Sequence, residues 1–315
     1  PLCWQRPPML TGLLCIAAVL LDRWQGEPRQ WHPLVGFGAL AQKAEQLFYG
    51  PPQLSAAARR ERGIEAVILL LAPWVLAAAI LAWLPLLGTL VALGLLYLAI
   101  GARSLGEHAE AVATALEADD LPLARQRVGM IVSRDTDELD EEGISRATVE
   151  SVLENGCDAI FGALFWFALT GAAGAVLYRL ANTLDAMWGY RTPRYLHFGW
   201  AAARLDDLLN WIPARLTALG YMAVGPQPAL AWRCWREQAP GWKSPNAGPV
   251  MAAGAGALGL ALGGPARYHG QWQTRPALGQ GLAPGAADIR RAVALVRRAL
   301  WLWLAVILLG GWSLA

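Results

Sequence analysis

Charge is what this chain has least of. Of its 315 residues only 16% are Asp, Glu, Lys or Arg, where a soluble domain carries roughly a quarter. Hydrophobic residues make up 56%, and 16 residues are Trp. That balance argues against a water-soluble globule and for an integral membrane protein. Lysine is nearly missing: Lys43 and Lys243 are the only two, and the other basic residues are Arg. A net charge of +2 is too small to hold nucleic acid, and no Lys/Arg cluster is interleaved with aromatics, so no nucleic-acid partner is expected. Cys3, Cys15, Cys157 and Cys234 form no CxxC pair, which indicates neither a disulfide framework nor a zinc site. His32, His108, His197 and His269 are equally scattered, and Glu107 beside His108 lacks the HExxH spacing. A GxxxxGK[ST] phosphate loop, a GxSxG elbow and an internal repeat are all missing.

What is present is a set of apolar runs with polar stretches between them. Residues 8–21 form the first run, short for a span of about 20 residues unless it extends back through the Trp4 region. Asp22 and Arg23 follow it directly with no small-residue cleavage site, so it reads as an uncleaved membrane helix. Residues 22–63 are polar; Gly26, Pro28, Pro33, Gly36 and Gly38 argue for irregular backbone there, followed by an amphipathic stretch over 39–49. Ala66 to Ala102 carries no charge over 37 residues, enough for two helices with a turn near Trp83 to Gly88. The expected spans are thus 8–21, 64–83, 86–102 and 299–315. The hairpin puts 22–63 and 103–158 on one side, and their arginines argue that this side is the cytoplasm. Ala159 to Tyr178 is another uncharged run of 20 residues. Crossing once would put the eight Arg and Lys of 179–250 outside, so this run is read as a span or a re-entrant segment, with re-entrant or buried favoured. Residues 251–264 are short and glycine-rich and read as a helix packed between protein elements, and 286–298 is a basic amphipathic stretch. The fold class is all-α: a polytopic integral membrane protein with a single membrane-embedded domain, its polar site on helical cytoplasm-facing loops.

The longest charged run, residues 133–158, lies between the two uncharged regions, and chemistry on a membrane scaffold is often marked in this way. From Ile144 it reads as a helix, with Thr136, Ser145 or Thr148 able to start a turn. Arg146, Glu150, Glu154 and Asp158 recur every four residues and share a face. Two readings stay open: a solvated face with Arg146 paired to Glu150, or a carboxylate set for Mg2+ and the phosphates it carries. Arg179, Asn182 and Asp185 are spaced by three, and so are Arg204, Asp207 and Asn210, with Asp206 on the flank. Pro213 is expected to disrupt the helix there, with Arg215 after it. These groups are either salt-bridge networks or phosphate and metal contacts. Ser244 to Gly248 (SPNAG) is a turn by composition, and 262–270 a glycine loop. His32, between Trp31 and Pro33, reads more readily as a packed residue than as a ligand.

Taken together and in order, these stretches resemble one family. They are DRWQGEPRQWHPLVGFG at 22–38, SRDTDELDEEGISRATVESVLEN at 133–155, YRLANTLDAMWGY at 178–190, FGWAAARLDDLLNWIPARLTAL at 198–219, SPNAG at 244–248 and LGG…Y.G at 262–270. The family is the CobD/CbiB group of cobalamin biosynthesis, the adenosylcobinamide-phosphate synthases. The chain departs from its pattern at Ala163, where Pro is usual, at Leu153, where Ala is usual, and at Gly156–Cys157. The resemblance implies a polytopic inner-membrane enzyme with its site facing the cytoplasm. Such an enzyme joins a propionate of adenosylcobyric acid to aminopropanol phosphate, using ATP with Mg2+. On that basis Glu150, Glu154, Asp158, Asp206 and Asp207 are the catalytic candidates. Glu150, Glu154, Asp185 and Asp207 are the metal candidates. Asp22, Glu27, His32, Arg134, Asn155, Arg179, Asn182, Arg204, Asn210, Arg215, Ser244 and Asn246 are the candidates for binding substrate or nucleotide, with Trp24 and Trp31 giving apolar area. The lipid bilayer and other membrane enzymes of the late pathway are the expected partners; the oligomeric state is left open. The rival readings are an AmpE-like membrane signalling protein without ligase activity and a transporter, which the absence of two corresponding halves disfavours.

Overall fold

Apolar runs set the helices of this protein, and prolines, glycines and short polar side chains set their ends. A computed structural model describes residues 7–28, 32–85, 87–268 and 270–313. Cys3, the Trp4 region, Trp31 and His269 lie outside the described residues. In chain order the helices are α1 (Pro8–Gln25), α2 (Pro33–Phe48), α3 (Ala56–Ala82), α4 (Leu87–Ala99), α5 (Ala102–Glu117), α6 (Leu121–Val128) and α7 (Glu141–Gly156). A π-helical turn, Cys157–Phe161, leads into α8 (Gly162–Thr170), then α9 (Ala172–Trp188), α10 (Tyr195–Phe198), α11 (Trp200–Val224), α12 (Pro228–Gln238) and α13 (Ala247–Leu258). Strands β1 (Ala261–Gly263), β2 (Ala266–Tyr268), β3 (Gln271–Gln273) and β4 (Ala277–Gly279) precede α14 (Ala286–Ser313). Among the described residues, four helical stretches are long and apolar enough to cross a membrane: Ala56–Ala82, Leu87–Glu117, Glu141–Thr170 and Ala286–Ser313.

Several local expectations need correcting. The proline- and glycine-rich stretch after Asp22 is not wholly irregular. Pro33 opens α2 at a position where its missing N–H is no loss, the His32 Nδ1 accepts from the Leu34 N–H at 3.2 Å, and Gly36 and Gly38 lie inside the helix. The charged helix begins at Glu141 rather than Ile144, and Asp140, not Thr136, Ser145 or Thr148, caps it by accepting from the Gly143 N–H at 2.8 Å. The uncharged run 159–178 is not one helix: it is split at Gly171, whose φ of 70° belongs to the left-handed region. Pro213 does not break α11. The Leu209 carbonyl, which has no N–H at Pro213 to receive, accepts instead from the Trp166 indole N–H at 2.9 Å. Residues 262–270 are not only loop: β1 pairs antiparallel with β4, and β2 with β3 inside it.

The chain forms two units: Pro1–Gly101, Gly162–Asn210 and Ile307–Ala315 in one, Ala102–Phe161 and Trp211–Val306 in the other. In the first, α3 packs on α9 and α4, and α1 on α4 and α8. In the second, α13 is buried along its whole length against α12, α7 and β4. Its small residues allow this: a side chain at Gly256 would meet the backbone of Leu230 and Ala231, and one at Gly254 would meet Leu153.

Candidate active site

In the first unit polar residues of α9 and α11 meet, but through Asp206 on the flank of the set spaced by three and not through Asp207. Asn182 Nδ2 donates to Asp206 Oδ1 at 3.2 Å. Asn210, one turn on from Asp206, donates to both carboxylate oxygens at 3.2 and 3.1 Å. The Tyr178 hydroxyl completes the chain by donating to Asn210 Oδ1 at 2.8 Å. Gly162 makes room for that tyrosine, since a Cβ there would overlap its ring. Asp206 is 8% exposed. Burial pushes its carboxyl up to about 6, against the amide hydrogens of Asn182 and Asn210, with the Asp207 charge adding to the rise. Asp207 is also raised by burial, opposed by Arg204 and Arg191. A carboxyl held near neutrality is suited to taking a proton.

Three more expected residues of this unit act on one another by charge. Burial lowers the His32 imidazole, Glu27 raises it and Arg179 lowers it further. Asp22 is buried at the end of α1, and the Tyr97 hydroxyl donates to the Gly26 carbonyl just beyond it at 2.5 Å. Asp185 lies on α9, and its side chain fills the space where a Cβ on Gly189 would stand. Trp24 is exposed.

The second unit holds the other expected residues. Arg146 pairs with Glu142, not Glu150. Glu150 instead meets Arg134, and it meets Arg275 through two contacts of 3.1 and 3.2 Å. Its Oε1 also accepts from the Gly263 N–H at 2.7 Å. A carboxylate offers about four lone-pair positions, and these four contacts fill them. Glu150 in this arrangement is a counter-charge, with no oxygen open to a metal. Among the described residues no three His, Cys, Asp or Glu side chains converge as a metal-ligand group. Asn155 donates to the Ser151 carbonyl at 2.9 Å, and Ser151 donates to the Ile131 carbonyl at 2.8 Å. Arg215 donates to Asn246 Oδ1 at 3.0 Å and to the Pro245 carbonyl at 3.2 Å. Ser244 Oγ accepts from the Ala247 N–H at 3.1 Å, so SPNAG opens α13. Glu154 ends α7 half-buried, and Asp158 lies in the π-helical turn after it. That turn releases the Leu153 carbonyl, which accepts from the Tyr221 hydroxyl at 2.9 Å.

Arg275, Tyr178, Tyr221 and the Glu45–Arg194 pair (2.6 Å) escaped sequence reasoning. Glu150 and Arg275 are 125 residues apart, and a lone Arg in a Gly/Pro-rich segment gives no local sign of its partner. The tyrosines sat in runs that read as core.

Fold and site define a helical integral membrane protein that buries carboxylates, amides and guanidinium groups among its helices. The sequence pattern of the CobD/Cbib protein family matches residues 15–296, and the chain belongs to that family. It is 64% identical over 300 residues to the cobalamin biosynthesis protein CobD of Chromobacterium violaceum, covering 95% of this chain and 96% of the relative. It is 58% identical over 309 residues to the protein of that name from Stutzerimonas stutzeri (98% and 100% covered). The Mycobacterium tuberculosis protein of that name is 42% identical over 287 residues (88% of each). No solved structure matches.

Proposed function

We propose that this member of the family is an adenosylcobinamide-phosphate synthase of the inner membrane, with its site open to the cytoplasm. The reaction joins a propionate of adenosylcobyric acid to the amine of aminopropanol phosphate, with ATP converted to ADP and phosphate. The carboxylate oxygen takes the terminal phosphoryl group of ATP, the amine nitrogen attacks the acyl carbon, and phosphate leaves. One proton departs from the nitrogen, and Asp206 is the acceptor. The observation that carries this reading is the buried Asp206 held by Asn182 and Asn210 with its carboxyl at about 6. A base near neutrality both stays ionised at working pH and takes the proton readily. Arg179 and Arg204 supply charge for phosphate oxygens, in a setting where guanidinium groups act strongly. Mg2+ enters with ATP as substrate and neutralises its phosphates.

The test is synthesis by purified protein carrying Asp207→Asn, followed by mass spectrometry of the corrinoid. The expected result is loss of the amide product from a protein that remains folded in the membrane. Full activity in that variant removes Asp207 from the site.

A further inference from the structure

The second unit contains a buried charge imbalance that the reaction above does not use. Glu150 is 2% exposed, Arg134 10% and Arg275 9% at the side chain. Both guanidinium groups reach the same oxygen, Oε2. Arginine does not give up its proton inside a protein, so two positive charges share one negative charge. Arg275 also donates from Nε to the Gly264 carbonyl at 2.9 Å, which leaves two of its five N–H groups. Arg134 makes no hydrogen bond among the described residues besides that to Glu150. Its Nε and Nη1 therefore lack a protein acceptor in a place that is nine-tenths buried. The Trp242 ring lies 5.2 Å from the Arg275 guanidinium carbon. Asp135 and Glu138 pair with Arg267 at 3.7 and 2.7 Å.

Two guanidinium groups on one carboxylate leave a positive charge that an anion would balance. We propose that Arg134 and Arg275 form a metal-free subsite for a phosphomonoester dianion. Guanidinium forks match phosphate oxygens in pairs. Glu150 has no lone pair left for Mg2+, which disfavours a metal-bearing polyphosphate and favours a small monoester.

The test is thermal unfolding of the purified protein against inorganic phosphate, for the native chain, Arg275→Gln and Glu150→Gln. Phosphate should raise the unfolding temperature of the native protein and leave Arg275→Gln unmoved. Glu150→Gln should start lower, because it leaves both arginines unpaired, and should gain more from phosphate than the native protein does. If Arg275→Gln fails to fold, the Glu150→Gln comparison decides. A phosphate effect missing from both the native protein and Glu150→Gln overturns the subsite. Phosphate stabilisation in a native protein that makes no amide would instead sink the ligase reading and leave the subsite standing.

Discussion

Asp206 is a side chain whose burial opposes stability, and the proposed reaction gives it a proton to take. Its carboxyl moves from the ordinary 3.8 to about 6 in the fold, so between those values the folded protein binds more protons than the unfolded chain. Stability from this group is greatest below about pH 4 and is lost as pH rises through about 6. Asp206→Asn removes the buried charge. We expect it to raise stability at neutral pH by on the order of 2 kcal/mol and to flatten the pH dependence across that window, as measured by thermal unfolding at a series of pH values. The same variant should lose synthesis, and the native activity should fall as pH drops through about 6, where the base takes its proton. Lower stability of the variant at neutral pH would contradict the burial argument. This residue was legible in the sequence as part of a polar set; its special environment was not, because part of it comes through Asn210 from Tyr178, 32 residues from that asparagine.

At the scale of helices and turns, apolar length and spacing read well and local breakers read poorly. The break between α3 and α4 falls where the uncharged run is too long for one helix, while Asn182 on α9 meets Asp206, which stood beside the set spaced by three on α11. Pro213 misled because its effect depends on who takes the released carbonyl, and Trp166 is 43 residues from Leu209. Trp166→Phe keeps the ring packing and removes the N–H. It should cost about 1–3 kcal/mol, the penalty of an unsatisfied buried acceptor, in chemical denaturation monitored by fluorescence; no loss would mean that the carbonyl finds another donor. Gly156 is a second such case. A Cβ there would run into the Tyr221 hydroxyl and Val296, so Gly156→Ala should destabilise by about 1–3 kcal/mol through overpacking. The strands near 261–279 were hidden because each is only three residues long and lies in a glycine-rich segment.

For the molecule as a whole, scarcity of charge points to the membrane as solvent, and the few charges that remain carry the proposed chemistry. A protein this poor in Asp, Glu and Arg nonetheless buries Asp206 with two amides in one unit and Glu150 with two arginines in the other, arrangements that hydrophobic packing alone would not select. The pairings themselves were illegible, since Glu150 joins residues 16 and 125 positions away, and no periodicity reports contacts at that range. What the account proposes is that Asp206 and the groups around it serve the making of an amide bond at a membrane. The direct measurement is to incubate the purified protein in bilayer nanodiscs with adenosylcobyric acid, aminopropanol phosphate, ATP and Mg2+, and to weigh the corrinoid by mass spectrometry. The account predicts a corrinoid heavier by aminopropanol phosphate less one water, formed only when ATP is present; unchanged adenosylcobyric acid from folded protein would contradict it.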